Sequence, residues 1–276
     1  MRKTATLLIL ICVCSVLTAQ SYSEFINRSF DCIAKQNWSC AEESLLAALR
    51  AEPANPQNAL ILSNLGTIQR RIGKNADAIK SYTNALMITP RSVTLLKNRA
   101  SLYAIMDSTD MAIRDYSSAI ALDSKEEGAL YDRGMIYLEK KDTASARYDF
   151  EHLLKINPKS SNARIGLATL MKYRNYYKEA IDLYTQVITL NKDMASLYFG
   201  RAEAYFYMGK ILLAKEDVKK AIELNNSDPL AYILYAKIKW AQYEKDDAIR
   251  DLDKAVLLGA SKERVDVIKE ELRRHK

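Results

Sequence analysis

Leu65–Pro90, LGTIQRRIGKNADAIKSYTNALMITP, reads as two short amphipathic helices joined by a tight turn at Gly73–Asn75. Small residues stand at Gly66, Ala78 and Ala85, and Pro90, which lacks the amide a helix would need, closes the unit. Counting on from Ala78 in steps of 34 residues reaches Ala112, Ala146, Ala180, Ala214 and Ala248. The same step from Gly66 reaches Ala100, Gly134, Ala168, Ala202 and Ala236. Two independent small-residue positions held through six units are the mark of a stacked array of helix pairs. Gly or Ala there lets two helix backbones approach closely, and no single unit of this size can bury its own apolar face.

This pattern resembles the tetratricopeptide repeat, whose unit carries a small residue at its eighth position, Ala at its twentieth and twenty-seventh, an aromatic at its twenty-fourth and Pro at its thirty-second. Laid out that way, the units run over 59–92, 93–126, 127–160, 161–194, 195–228 and 229–262. A degenerate first unit covers 22–55, with Ala41, Leu45, Ala48 and Pro53 in place and Pro56, Gln57 and Asn58 read as an insertion. The aromatic position holds Tyr82, Tyr116, Phe150 and Tyr184, then Val218 and Leu252. The resemblance covers nearly all of the chain after residue 21. It implies an all-α, right-handed superhelical solenoid of seven helix-turn-helix repeats, with residues 263–276 as a capping helix. In that last segment Val265, Ile268 and Leu272 share one face and charged residues take the rest, as suits the end of a stack.

A second regularity pairs helices within a unit. Arg99, Arg133 and Arg201 at the seventh position accompany Asp115, Asp149 and Asp217 at the twenty-third; where the seventh is Leu65 or Leu167, the partner position holds Ser81 or Leu183. An Arg–Asp bridge between the two helices of a unit is expected, structural in role. The end units break the rule, setting Arg28 opposite Ser44 and Tyr235 opposite Asp251. Turns inside later units are expected at Ser108–Thr109, Lys141–Thr143, Asn175–Tyr176, Gly209–Lys210 and Glu244–Asp246.

The chain opens differently. Arg2 and Lys3 precede an apolar or small run from Ala5 to Leu17, followed by Thr18 and Ala19. Residues 1–19 read as a secretory signal peptide cut after Ala19, which places the protein in the periplasm or outside the cell. The alternatives are an uncleaved anchor, for which the run is short, and a lipoprotein, for which Cys12 and Cys14 lack the small residue before them. With the leader gone, no segment of the mature chain reads as membrane-spanning. The remaining cysteines, Cys32 and Cys40, flank the turn of the first unit, and in an exported protein they read as a disulfide. The other reading is two small buried thiols in a helix interface.

Little in the sequence points to catalysis. His152 and His275, the two histidines, stand near no nucleophile–carboxylate motif, and phosphate-loop, dinucleotide, zinc and calcium patterns do not occur. The chain reads as no enzyme, with no cofactor and no metal. Its net charge of +7 comes from 41 Lys and Arg interleaved with 34 Asp and Glu, a pattern of solvated helix faces rather than a basic stripe, so no nucleic-acid partner is expected.

Binding remains. The resemblance implies a groove lined by the first helix of each unit. Its candidates for partner contact are Tyr131, Lys172, Tyr173, Phe199, Glu203, Phe206, Lys237 and Trp240, with Met135, Leu138, Tyr207 and Ile233 beside them. Aromatics gathered in a groove make interface hot spots, although several could equally pack between neighbouring first helices. The Lys-then-Asn pair with which chaperone-binding members clamp a terminal carboxylate is missing, since Lys97 is followed by Ser101. The function expected is a protein-interaction scaffold or adaptor of the cell envelope that holds a partner peptide or helix. The alternative is a ligand- or glycan-binding accessory of an outer-membrane uptake system, because Tyr and Trp also stack on sugars.

Overall fold

The computed structural model describes residues 22–274, and the expected leader lies outside them. Among the described residues there are fifteen helices and no strand: in chain order, seven pairs each joined by a short turn, and a terminal helix. The first pair is α1 over 22–34 and α2 at Trp38–Ala51. Then come α3 Asn58–Arg71, α4 Asn75–Ile88, α5 Val93–Ile105, α6 Thr109–Leu122, α7 Glu127–Glu139 and α8 Thr143–Ile156. The chain continues with α9 Ser161–Tyr173, α10 Tyr177–Leu190, α11 Ala195–Tyr207, α12 Ile211–Leu224, α13 Pro229–Ala241, α14 Lys245–Leu257 and α15 Lys262–Arg274. None of these helices is long and apolar enough to cross a membrane. Two compact units divide the chain, one ending at Ile136 and the other beginning at Tyr137.

Local chemistry sets the helix ends. Asn37, Ser92, Asp142, Ser160 and Asp228 each accept a backbone N–H in the first turn of the helix they precede, satisfying donors that have no partner within the helix. Pro229 opens α13, where its missing N–H costs nothing. The turn within each pair contains one residue in the left-handed region: Gln36, Gly73, Asp107, Lys141, Asn175, Gly209 and Tyr243. From Gly73 onward these recur at the sequence period, so two turns lie one residue earlier than expected, at Asp107 rather than Ser108–Thr109 and at Tyr243 rather than Glu244–Asp246. In both cases the residue expected to turn caps the next helix instead: Ser108 precedes α6 and Glu244 precedes α14.

Packing within each unit follows the small residues. Ala78, Ala112, Ala146, Ala180, Ala214 and Ala248 are all fully buried, as are Ala100, Ala168, Ala202 and Ala236 on the facing helices. In the first unit α2 to α6 pack each on the next; in the second, α8 to α15 do the same. In the second unit the first helices also meet one another in sequence, α9 with α11, α11 with α13 and α13 with α15. The terminal helix thus takes the place that the first helix of a further repeat would occupy. Val265 and Ile268 bury against Ile233, Ala236, Leu252 and Ala255.

Arg–Asp bridges join the helices of the α5–α6 and α11–α12 pairs. Arg99 donates to both carboxylate oxygens of Asp115 at 2.7 and 2.9 Å, and Arg201 to both of Asp217 at 2.7 and 2.8 Å. Each guanidinium also reaches back to the preceding pair, to Thr83 and Thr185. The hydrogen bond that Arg201 donates to Asp217 holds the Arg201 pKa above its ordinary value despite partial burial. Where Leu65 replaces the arginine, Ser81 donates to Gln69, which in turn donates to Glu42 of the first pair. In the last pair Asp251 takes its cation from Lys239 at 2.7 Å, whose ammonium also lies 4.2 Å from the Tyr235 ring centroid.

Candidate functional site: the first-helix face of the second unit

The row α9, α11, α13 and α15 presents one charged residue after another: Lys172, Glu203, Lys237 and Arg264. Between them is a pocket of about 340 Å³ lined by Phe199, Glu203, Phe206, Tyr207 and Lys237, with Leu230, Ile233 and Leu234 as apolar floor and Arg264 at one side. Four of the eight residues singled out from sequence therefore meet in one place: Phe199, Glu203, Phe206 and Lys237. Helix periodicity explains part of this: on α11, Phe199, Glu203 and Phe206 are three, four or seven positions apart, on one face.

Lys172 is joined to this group through Glu203, with which it forms an ion pair. Burial is the largest influence on the ammonium and works against its charge, but Tyr184, Glu203 and Tyr207 outweigh it and hold the pKa above the usual lysine value. Lys172 is thus a fixed cation that neutralises Glu203.

The aromatic side of the pocket continues outward. Tyr207, at the end of α11, is 57% exposed, meets the edge of Phe206 at 5.7 Å between centroids and stacks on Tyr177 at 5.4 Å. Tyr177 begins α10, the second helix of its pair, where a groove lined by first helices does not reach. Arg264 lies on the terminal helix, outside the repeats whose first helices define the groove. Its position three residues after Ser261, the residue that caps α15, was the available signal.

The other candidates lie elsewhere. Tyr173, the last residue of α9, is exposed but is not among the residues lining the pocket. Trp240 is half-buried against the terminal core with Tyr232, Val256, Ala260 and Leu272, and Lys245 sits 5.4 Å from its ring centroid. Tyr131, on α7, belongs to the first unit and is half-buried there. Met135 is likewise half-buried and Leu138 buried.

Two further features stand outside this face. Cys32 and Cys40 meet across the α1–α2 turn with their Cα atoms 5.7 Å apart, inside the span of a disulfide, and the structure draws their sulfurs together as a bonded pair. A larger and mostly apolar cavity of about 710 Å³ lies in the first unit, lined by Ala59, Leu60, Thr89, Pro90, Arg91 and Leu95 among others. It contains no carboxylate, histidine or cysteine.

Comparison with known proteins agrees with this architecture. Models of the tetratricopeptide repeat match residues 61–94, 128–160, 163–198 and 195–228. A tetratricopeptide repeat protein from Parabacteroides merdae, known from its crystal structure, is 41% identical over 92% of this chain and 99% of its own, with a TM-score of 0.83. The chain belongs to the tetratricopeptide repeat family. The pilF protein of Pseudomonas aeruginosa is 16% identical and shares the fold, with a TM-score of 0.64 over 80% of this chain and 98% of its own. Among curated proteins, Protein O-mannosyl-transferase TMTC3 of Mus musculus is 39% identical over 90 residues, 30% of this chain and 10% of that protein. The chain therefore spans only about a tenth of that relative.

Proposed function

We propose that the protein is a non-catalytic interaction scaffold or adaptor of the cell envelope, and that it holds a peptide or helical segment of a partner protein against the first helices of its second unit. The family supports a protein partner in general terms. The observation that carries the particular reading is the α11–α13 pocket, where Phe199, Phe206 and Tyr207 stand beside Lys237 on a face with room for a side chain from outside. At about 340 Å³ the space falls at the small end of the roughly 300–1,000 Å³ typical of ligand sites, suited to an anchor residue of a larger partner. Tyr207 is exposed, while Phe199 and Phe206 are half-buried against the core of α11–α13 and also line the pocket. Aromatic side chains offer large contact area, which is why they dominate interface energetics. Placement in the envelope rests on residues 1–19 as an export leader and on the Cys32–Cys40 pairing, which an oxidising compartment would maintain.

The test is crosslinking in intact cells, followed by affinity purification of the chain and mass spectrometry of what accompanies it. A variant carrying Phe206→Ser and Tyr207→Ser serves as control, with its fold checked by circular dichroism and a thermal melt. A partner recovered with the wild type and lost with the folded variant is the expected result. A partner that ignores the substitutions would move the site to another face.

A further inference from the structure

We propose that the segment received in this pocket is acidic and apolar together: an aromatic or aliphatic side chain next to Asp or Glu, its carboxylate meeting Lys237 and Arg264. The inference rests on the reading of this face as the docking surface and adds the chemistry of the occupant.

Charge bookkeeping along the first-helix row carries it. Of the four charged residues, Lys172 and Glu203 neutralise each other. That leaves Lys237 on α13 and Arg264 on α15, and neither side chain makes an ion pair or hydrogen bond with a described residue. Their neighbours differ: Lys239, two positions from Lys237, is bound to Asp251, Lys215 to Glu244 and Lys269 to Asp253. Lys237 and Arg264 are thus the two cations of the pocket lining, and the one carboxylate in that lining, Glu203, is engaged by Lys172.

The surroundings make that excess count. Lys237 is half-buried beside Ile233, Leu234 and Phe206, apolar groups that lower the local dielectric and strengthen the pull on an arriving anion. Arg264 is exposed and presents a planar fork that suits a carboxylate. A purely anionic ligand would leave the floor of Leu230, Ile233, Leu234 and Phe199 uncovered, and a purely apolar one would bury Lys237 without a counter-charge. A segment with both features side by side satisfies the whole lining. The terminal helix then has a double part, closing the apolar core with Val265 and Ile268 and supplying Arg264 to the partner.

The experiment is fluorescence anisotropy of the full chain with four labelled peptides in a Gly-Ser background. One carries Phe flanked by Glu; the others replace Glu by Gln, Glu by Lys, or Phe by Ala. The acidic Phe peptide is expected to bind about tenfold or more tighter than each of the others and to weaken as salt is raised. The double variant Lys237→Glu with Arg264→Glu is expected to turn the preference toward the Lys peptide, a gain that no misfolded protein would show. Equal binding of the Glu and Gln peptides, or an acidic preference that survives the double variant, overturns the charge inference and leaves the docking face standing. Undiminished binding of the acidic peptide by the Phe206→Ser, Tyr207→Ser variant overturns the docking face itself. No binding by any of the four peptides overturns the proposal, and an oligosaccharide retained on a glycan array in their place would show a different class of ligand.

Discussion

At Gly166 and Gly200, one period apart, an added Cβ would come within 2.4 Å of the Phe150 ring and 2.5 Å of the Tyr184 ring. Neither glycine is in the left-handed region; what each provides is room for the aromatic of the preceding repeat. The Tyr184 hydroxyl is also held, 3.2 Å from Thr169. Gly200→Ala is therefore expected to lower stability by about 1–3 kcal/mol, the usual cost of overpacking, in urea titrations followed by circular dichroism. Asp132 allows a second prediction, on pH. Burial is the main cause that raises its pKa above the ordinary carboxylate value, even though the Tyr116 hydroxyl donates to it at 3.1 Å. The folded state then holds the proton more tightly than the unfolded chain does, so this residue's contribution to stability falls as pH climbs from the unfolded value through the raised one. Relative to wild type, Asp132→Asn should be least favourable near pH 3.5 and should improve toward pH 7, as paired thermal melts would show. A relative stability that worsened with rising pH would mean that the carboxylate is stabilised by charge rather than penalised by burial.

The turns and the first pair hold the next level of energetics. Five of the seven intra-pair turns put a side chain into the left-handed region, at Gln36, Asp107, Lys141, Asn175 and Tyr243. Such a conformation costs a residue with a Cβ roughly 1–2 kcal/mol, while Gly gives part of that back through greater freedom when unfolded. Tyr243 is 85% exposed, so Tyr243→Gly should raise stability by about 0.5–1 kcal/mol in the same titrations. Among the described residues, the α1–α2 pair packs against α3. Closing the eight-residue separation between Cys32 and Cys40 removes chain entropy worth about 2.5 kcal/mol, so Cys32→Ser with Cys40→Ser should weaken this pair by up to that amount. Hydrogen exchange resolved to α1 and α2 is the measurement, and unchanged protection would favour a pair of packed thiols.

Over the whole molecule, a repeat array has no single core, and its stability is close to a sum of pair and neighbour terms. Amide protection is therefore expected to grade along each unit: in the first, α3 to α5 should exchange more slowly than α1, and in the second, α10 to α12 more slowly than α15. Exchange measured by mass spectrometry would test this, and uniform protection through a unit would instead mean that it unfolds all at once. The net charge of +7 favours an acidic partner only where the excess is concentrated. In the second unit the pocket beside Lys237 and Arg264 is one such place.

The all-α repeat architecture was legible in the sequence because it rests on local rules repeated along the chain. Small residues recur at 34-residue intervals, and helix-ending chemistry recurs with them. The Arg99–Asp115 and Arg201–Asp217 bridges were legible for the same reason, each spanning one pair at a constant offset of 16 residues. The face that gathers a site depends on how successive first helices pack, and that has no period of its own. Lys172 and Glu203, 31 residues apart, share no repeat position, and Arg264 comes from a helix outside the repeat pattern. Trp240 and Phe206 are both aromatic residues late in a first helix. Both rings pack against a core, and only packing decides that the phenyl ring also borders the pocket while the indole does not, because the turns that follow and the neighbours they bring differ.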